Sequence, residues 1–156
     1  MHLFLDANVL FAAALNPGGQ CRALLRLAEQ GLCQTASSAY VLEEARRNLT
    51  DKYPDRLAEL NSLLQYVEQV AEADFDLVRW AENYLPAKDA PVLAAAVARR
   101  VDLLVTGDRR HFGALYDHEL RGVRVVSLFG ALQAVLARPG IEEIDVDTNS
   151  SHDRTR

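Results

Sequence analysis

The sequence predicts a single α/β domain in which a parallel sheet is covered by helices on both faces, and three observations lead there. Two apolar runs, Leu3-Phe4-Leu5 and Leu103-Leu104-Val105, read as buried strands that stop at polar groups, Asp6 in one and Thr106-Gly107-Asp108 in the other. Around them lie stretches with helical spacing instead of the tight turns of a meander, so strands alternate with helices. The chain has 156 residues, 49% apolar and 25% charged, which suits one globular core. That domain is expected to span 1–138, followed by a polar, disordered tail over 139–156.

Each element has its own warrant. After the Asp6 strand, Asn16-Pro17-Gly18-Gly19 breaks the pattern. Residues 21–30 then read as a helix with Leu24, Leu25, Leu27 and Ala28 on its apolar side and Gly31 just beyond its end. A short strand is expected over 32–35. Ser37 or Ser38 caps a helix over 39–53, whose stripe is Val41, Leu42, Ala45 and Leu49, and Pro54 ends it. Helical spacing resumes at Leu57, Leu60, Leu63 and Leu64, while 66–71 reads equally as a helix end or an edge strand. Asp74 and Asp76 open a helix to about residue 85, which Pro86 stops. Asp89-Ala90-Pro91 has the form of a helix start, a capping acid with Pro in the first turn. The strand at 102–106 follows, then a helical turn near 109–115, a last strand over 123–127 and a last helix over 129–137.

Charge and cysteine content narrow the function classes. Seventeen basic against 22 acidic residues leave a net charge of −5, which argues against holding nucleic acid by bulk electrostatics. The tail, with five acids and two arginines, carries −3 of this, so the body is nearly balanced. The N-terminus lacks the basic leader of a signal peptide, and no window approaches a membrane helix. Cys21 and Cys33 show no paired ligand spacing and read as reduced core thiols of a cytoplasmic protein.

The chemistry points to carboxylates. In a parallel sheet the first strand and the 102–106 strand end on the same edge, and helices that follow such strands begin there too. The topology therefore allows Asp6, one of Glu43 and Glu44, Asp89 and Asp108 to converge. Carboxylates held close together repel unless they take up protons or bind a cation, and Mg2+ or Mn2+ suits an all-oxygen set. Each acid also has a plainer reading: Asp89 as an N-cap, Asp108 as a turn cap, Glu43 and Glu44 as solvated helix acids. Asp6, at the end of an apolar strand, is the hardest to explain without a ligand, and Asn8 is placed to orient it or bridge the turn. Arg46, Arg47, Lys88, Arg109, Arg110 and His111 follow closely on these acids and would form a cationic rim for a polyanionic substrate. The alternative for them is a solvated face.

Four motifs in order carry a family resemblance: Leu5-Asp6-Ala7-Asn8-Val9-Leu10, Val41-Leu42-Glu43-Glu44-Ala45-Arg46-Arg47-Asn48-Leu49, Lys88-Asp89-Ala90-Pro91-Val92-Leu93, and Asp102-Leu103-Leu104-Val105-Thr106-Gly107-Asp108-Arg109-Arg110-His111. The chain resembles the PIN-domain ribonucleases, especially single-domain toxins of the VapC type. The resemblance implies a three-layer α/β/α fold with a parallel sheet of about five strands, Mg2+ or Mn2+ held by three or four acids, and cleavage of RNA. By position it makes Asp6, Asp89 and Asp108 the first, third and fourth acids. It favours Glu44 over Glu43 as the second, because Glu44 stands before Ala45 and five residues before Leu49. Thr106 matches a hydroxyl position beside the fourth acid, where it would hold a metal-bound water. It further implies a cognate antitoxin and a homodimer, with no membrane association.

The expected activity is thus metal-dependent hydrolysis of an RNA phosphodiester to 5′-phosphate and 3′-hydroxyl ends. Two alternatives stand beside it. One is a catalytically silent module that binds RNA or a partner. The other is a phosphatase of the haloacid dehalogenase kind, which would need an acid where this chain has Asn8.

Overall fold

The computed structural model describes residues 1–138, so the expected tail over 139–156 lies outside the described residues. The chain runs β1 (His2–Leu5), α1 (Ala7–Leu15), α2 (Gln20–Glu29), β2 (Gln34–Ser38), α3 (Ala39–Lys52), α4 (Leu57–Leu63), β3 (Val67–Val70), α5 (Phe75–Ala81), α6 (Ala90–Arg99), β4 (Leu103–Val105), α7 (Arg109–Phe112), β5 (Glu119–Leu120), β6 (Val123–Val126) and α8 (Leu128–Leu136). The strands form one sheet in the order β3-β2-β1-β4-β6-β5. Five of them are parallel and β5 pairs antiparallel with β6.

This order makes β1 the centre of the fold. The first two crossovers carry the chain outward on one side of β1, and the third brings it back past β1 to β4. Because such crossovers are right-handed, the reversal puts the helices before β3 and those between β3 and β4 on opposite faces of the sheet. The packing agrees: α1 lies against α2, α3 and α4, whereas α5 packs on α6, which touches β2 and β4. Leu3, Phe4 and Leu5 of β1 and Leu104 and Val105 of β4 are fully buried, as strands covered on both faces must be. Leu104→Ala should therefore cost about 3 kcal/mol, since a buried leucine leaves a cavity that a central strand cannot close. Urea unfolding with an unchanged m-value checks this.

Four elements differ from the sequence expectation, three of them for a plain physical reason. Residues 7–15 are nearly all apolar and show no periodicity, yet they form α1, buried along Val9, Leu10, Ala13 and Ala14. The second strand is not 32–35 but Gln34–Ser38. Its polar side chains are satisfied internally, with the Thr35 hydroxyl donating to the Tyr66 carbonyl (2.6 Å) and the Ser37 hydroxyl to that of Leu5 (2.7 Å). A search for apolar runs passes over such a strand. The two residues of β5 are too few to show a period, and they turn into β6 through Arg121 and Gly122, both with positive φ, the backbone of a tight hairpin. The segment 66–71, open in the sequence, contains edge strand β3. The helix begun at Asp74 stops at Ala81, short of 85, in a turn. Among the described residues no helix is long and apolar enough to cross a membrane, and both cysteines are free thiols.

Candidate active site

The strand order reverses between β1 and β4, and a crevice opens there beyond their C-terminal ends, where open α/β sheets bind ligands. The ladder that pairs Leu5 with Val105 continues as the Asp6 N–H donates to the Val105 carbonyl (3.0 Å), which sets Asp6 beside Thr106. Asp6 is only 6% exposed. Its Oδ1 accepts from the Ala7 N–H (2.8 Å), capping α1, and its Oδ2 accepts from the Thr106 hydroxyl (2.8 Å) and from Asn8 Nδ2 (3.2 Å). Burial pushes the Asp6 carboxyl up to about 6 despite these hydrogen bonds, and the charges of Glu44 and Asp89 add to the rise.

Asn8 ties the two strand ends together. Its Oδ1 accepts from the Gly107 N–H (2.7 Å), while Nδ2 donates towards both Asp6 and Thr106 Oγ1 (3.3 Å). A Cβ at position 107 would lie 3.2 Å from Asn8 Oδ1, so glycine permits the close approach. The Thr106 hydroxyl also accepts from the Asp108 N–H (3.1 Å). Its proton is given to the Asp6 carboxylate and its oxygen accepts from the Asn8 amide and the Asp108 backbone, so it links the ends of β1 and β4.

Asp89 and Asp108 reach the same place from other elements. Asp108 does cap α7, since its Oδ1 accepts from the His111 N–H (3.2 Å), but its Oδ2 lies 2.8 Å from His111 Nδ1. Burial raises the Asp108 carboxyl, yet the two His111 contacts and the nearby cations outweigh it and hold the group below its usual range. Asp89 stands at the N-cap position of α6 with helical backbone angles and no side-chain cap bond. Its carboxylate turns inward instead, with Oδ2 3.2 Å from His111 Nδ1. The one ring nitrogen cannot serve two carboxylates, so Oδ2 of Asp89 is buried without a donor. Burial lifts its pKa, opposed by Lys88 and His111. Donor atoms of Asp89, Asp108 and His111 all lie within 4.8 Å of one another.

The two glutamates separate on α3. Glu44 lines the cleft with Asp6, Asp89 and Asp108, whereas Glu43 points outward to Arg47 (3.4 Å), both side chains largely exposed. Lys88 lines the cleft, but Arg46, Arg47, Arg109 and Arg110 are exposed outside its lining. His111 sits among the acids and not on a cationic rim. The sequence reading missed Phe11, Asn48 and Lys52, which complete the wall of this cleft of about 150 Å3. Glu44, Asn48 and Lys52 follow one another at four-residue steps on α3, a signal that was present in the sequence. It also missed Tyr40, whose hydroxyl donates to the Lys88 carbonyl (2.7 Å) and so anchors the turn before Asp89. A larger groove of about 600 Å3 at the other end of the sheet, near His2, Tyr66 and Arg99, holds no such group of acids; there Glu68 is paired with Arg99.

Similar folds occur in solved structures at low sequence identity. VapBC2 from Rickettsia felis, bound to a DNA fragment from its promoter, superposes with a TM-score of 0.61 at 16% identity, covering 81% of this chain and 98% of that one. FitAcB from Neisseria gonorrhoeae gives 0.55 at 18%, covering 81% and 98%. VapC20 of Mycobacterium tuberculosis, a toxin that cleaves the sarcin-ricin loop, gives 0.53 at 17%, covering 76% and 97%. These likenesses concern the fold. No curated protein matches the sequence. A PIN domain family model matches residues 2–110, the span that contains all four acids, and the chain belongs to the PIN domain family.

Proposed function

We propose that this protein is a metal-dependent endoribonuclease and the toxin of a toxin–antitoxin pair, with Asp6, Glu44, Asp89 and Asp108 as its metal-binding, catalytic acids. The observation that carries the reading is the convergence of these four side chains, from four separate segments, on one cleft in which the buried Oδ2 of Asp89 has no donor. An orphaned carboxylate oxygen among other carboxylates fits a hard divalent cation, and the all-oxygen set fits Mg2+ or Mn2+. Such an ion would supply activation of water and neutralisation of charge developing on the phosphoryl oxygens.

The chain's own groups have defined tasks. Thr106 and Asn8 hold Asp6 in a fixed orientation, as outer groups around a ligand do. Lys88 at the rim meets the phosphate backbone of the incoming strand. His111, which meets Asp108 through both its backbone N–H and its ring nitrogen, is a positioning residue for that carboxylate. Arg46, Arg47, Arg109 and Arg110, being exposed, serve only longer-range attraction of RNA. Glu43 takes no part.

The test is incubation of labelled RNA with the purified chain in Mg2+ or Mn2+, with mapping of the ends. Cleavage to 5′-phosphate and 3′-hydroxyl products that stops on chelation is expected; cleavage indifferent to chelator would overturn the reading. The antitoxin rests on likeness to the VapBC2 and FitAcB structures. It is checked by asking whether the product of a short neighbouring reading frame co-purifies and blocks cleavage. Light scattering of the purified chain tests the expected homodimer.

A further inference from the structure

The acidic cleft has a second end. Lys52, the last residue of α3, and Phe11 of α1 belong to the same lining as the acids. Eight residues of helix put Lys52 about 12 Å beyond Glu44 along α3. Its ammonium lies 5.8 Å from the centre of the Phe11 ring. Tyr53 follows, its ring 6.1 Å from that of Phe11 and tilted 56° to it. Tyr53 is 44% exposed. Among the described residues no carboxylate lies within ion-pair distance of Lys52 or Lys88. The cleft thus runs from carboxylates, past Asn48, to a cation over the Phe11 ring, with the partly exposed aromatic ring of Tyr53 packed against Phe11 just outside the lining. A base stacks on such a face while its phosphate meets the lysine, and only an unpaired base presents a free face to it.

We infer that Lys52 and Tyr53 form a nucleotide subsite that holds one unstacked base and its phosphate on the strand that enters the acidic cleft. The occupant follows from charge and continuity: the subsite is cationic and aromatic, and its lysine lines the cleft where the proposed hydrolysis takes place. The inference rests on that reading for the identity of the strand, and its test is separate. Phe11 packs against the Tyr53 ring in a tilted arrangement.

The experiment measures binding, not turnover. An Asp89→Asn background, checked for folding by circular dichroism, is titrated in Mg2+ against a short fluorescein-labelled oligouridylate and against an RNA duplex of the same length, with fluorescence anisotropy as readout. Tyr53→Leu should weaken binding of the single strand about tenfold, with Tyr53→Phe restoring it, because the ring face and not the hydroxyl is used. Duplex binding should not change. Lys52→Gln should weaken single-strand binding and lower the slope of log affinity against log salt by about 0.7. Undetectable binding, unchanged affinity in either variant, or equal losses on strand and duplex would overturn the subsite. A wild-type chain that binds in this way without hydrolysing RNA would instead overturn the hydrolase reading and leave the subsite standing.

Discussion

Asp6→Asn is expected to lower metal-dependent RNA hydrolysis at least about a thousandfold while leaving the fold intact. The loss follows from removing the charge of the one acid held by three donors at the centre of the crevice. The intact fold follows from two opposing effects. Asp6 is buried in its charged form at neutral pH, and a shift from 3.8 to about 6 corresponds to about 3 kcal/mol of unfavourable burial that a neutral amide relieves. Against this, the amide nitrogen would face Asn8 Nδ2, which cannot turn over because its oxygen accepts from Gly107. That donor clash costs roughly 1–3 kcal/mol. The two nearly cancel, so the metal-free melting temperature should shift by only a few degrees. Glu44→Gln should also cut activity by orders of magnitude and Glu43→Gln should leave it unchanged, which separates the two neighbours by assay. An active Asp6→Asn protein that still needs metal would remove Asp6 from the site.

How much of this was legible in the sequence depends on which forces left a local trace. The apolar runs that end at Asp6 and Thr106 follow directly from a central strand buried on both faces, and so the parallel sheet could be read. Helix α1 could not, because the packing of Val9 to Ala14 on three helices removes the polar face that periodicity needs. The polar strand β2 was misplaced because its hydroxyls are satisfied by carbonyls of other segments, a non-local fact. In the site, the same sequence position gave Asp89 and Asp108 equal claims to be caps. Only the three-dimensional arrangement distinguishes them, since Asp108 caps its helix and also meets His111, while Asp89 caps nothing. His111 looked like a rim cation because it follows two arginines; the short helix α7 turns it back onto the acids while Arg109 and Arg110 stay outside. Lys52 is not legible beside the acids in sequence, because only the helix brings groups four and eight residues on to the same cleft.

The metal-free protein should become less stable as pH rises through the range in which most proteins gain or hold stability, and a divalent cation should reverse that trend. Asp6 has its folded pKa raised, from 3.8 to about 6, so between those values the folded state binds more protons than the unfolded one. Stability therefore falls with rising pH across that window, by about 3 kcal/mol from this group, and stays low above it. Asp89, also raised by burial, acts in the same direction. Asp108 is lowered and acts oppositely, but its contribution is lost only as pH falls below the usual carboxylate range, outside the window where Asp6 titrates. Between pH 5 and pH 7.5 about 1.4 kcal/mol of this is lost, so in chelator the melting temperature at pH 7.5 should lie roughly 3–6 °C below the value at pH 5 from Asp6 alone. Other groups titrate over the same interval, so the measured quantity is the difference between the wild type and Asp6→Asn, in which the Asp6 share of the slope is absent. Mg2+ or Mn2+ prefers the ionised carboxylates, and at a hundredfold excess over its pH 7.5 dissociation constant it should return about 3 kcal/mol at pH 7.5 and about half as much at pH 5. Wild type and Asp6→Asn with the same pH slope, or a cation that raises the melting temperature of both equally, would show that the repulsion in this cleft is not what the ion relieves.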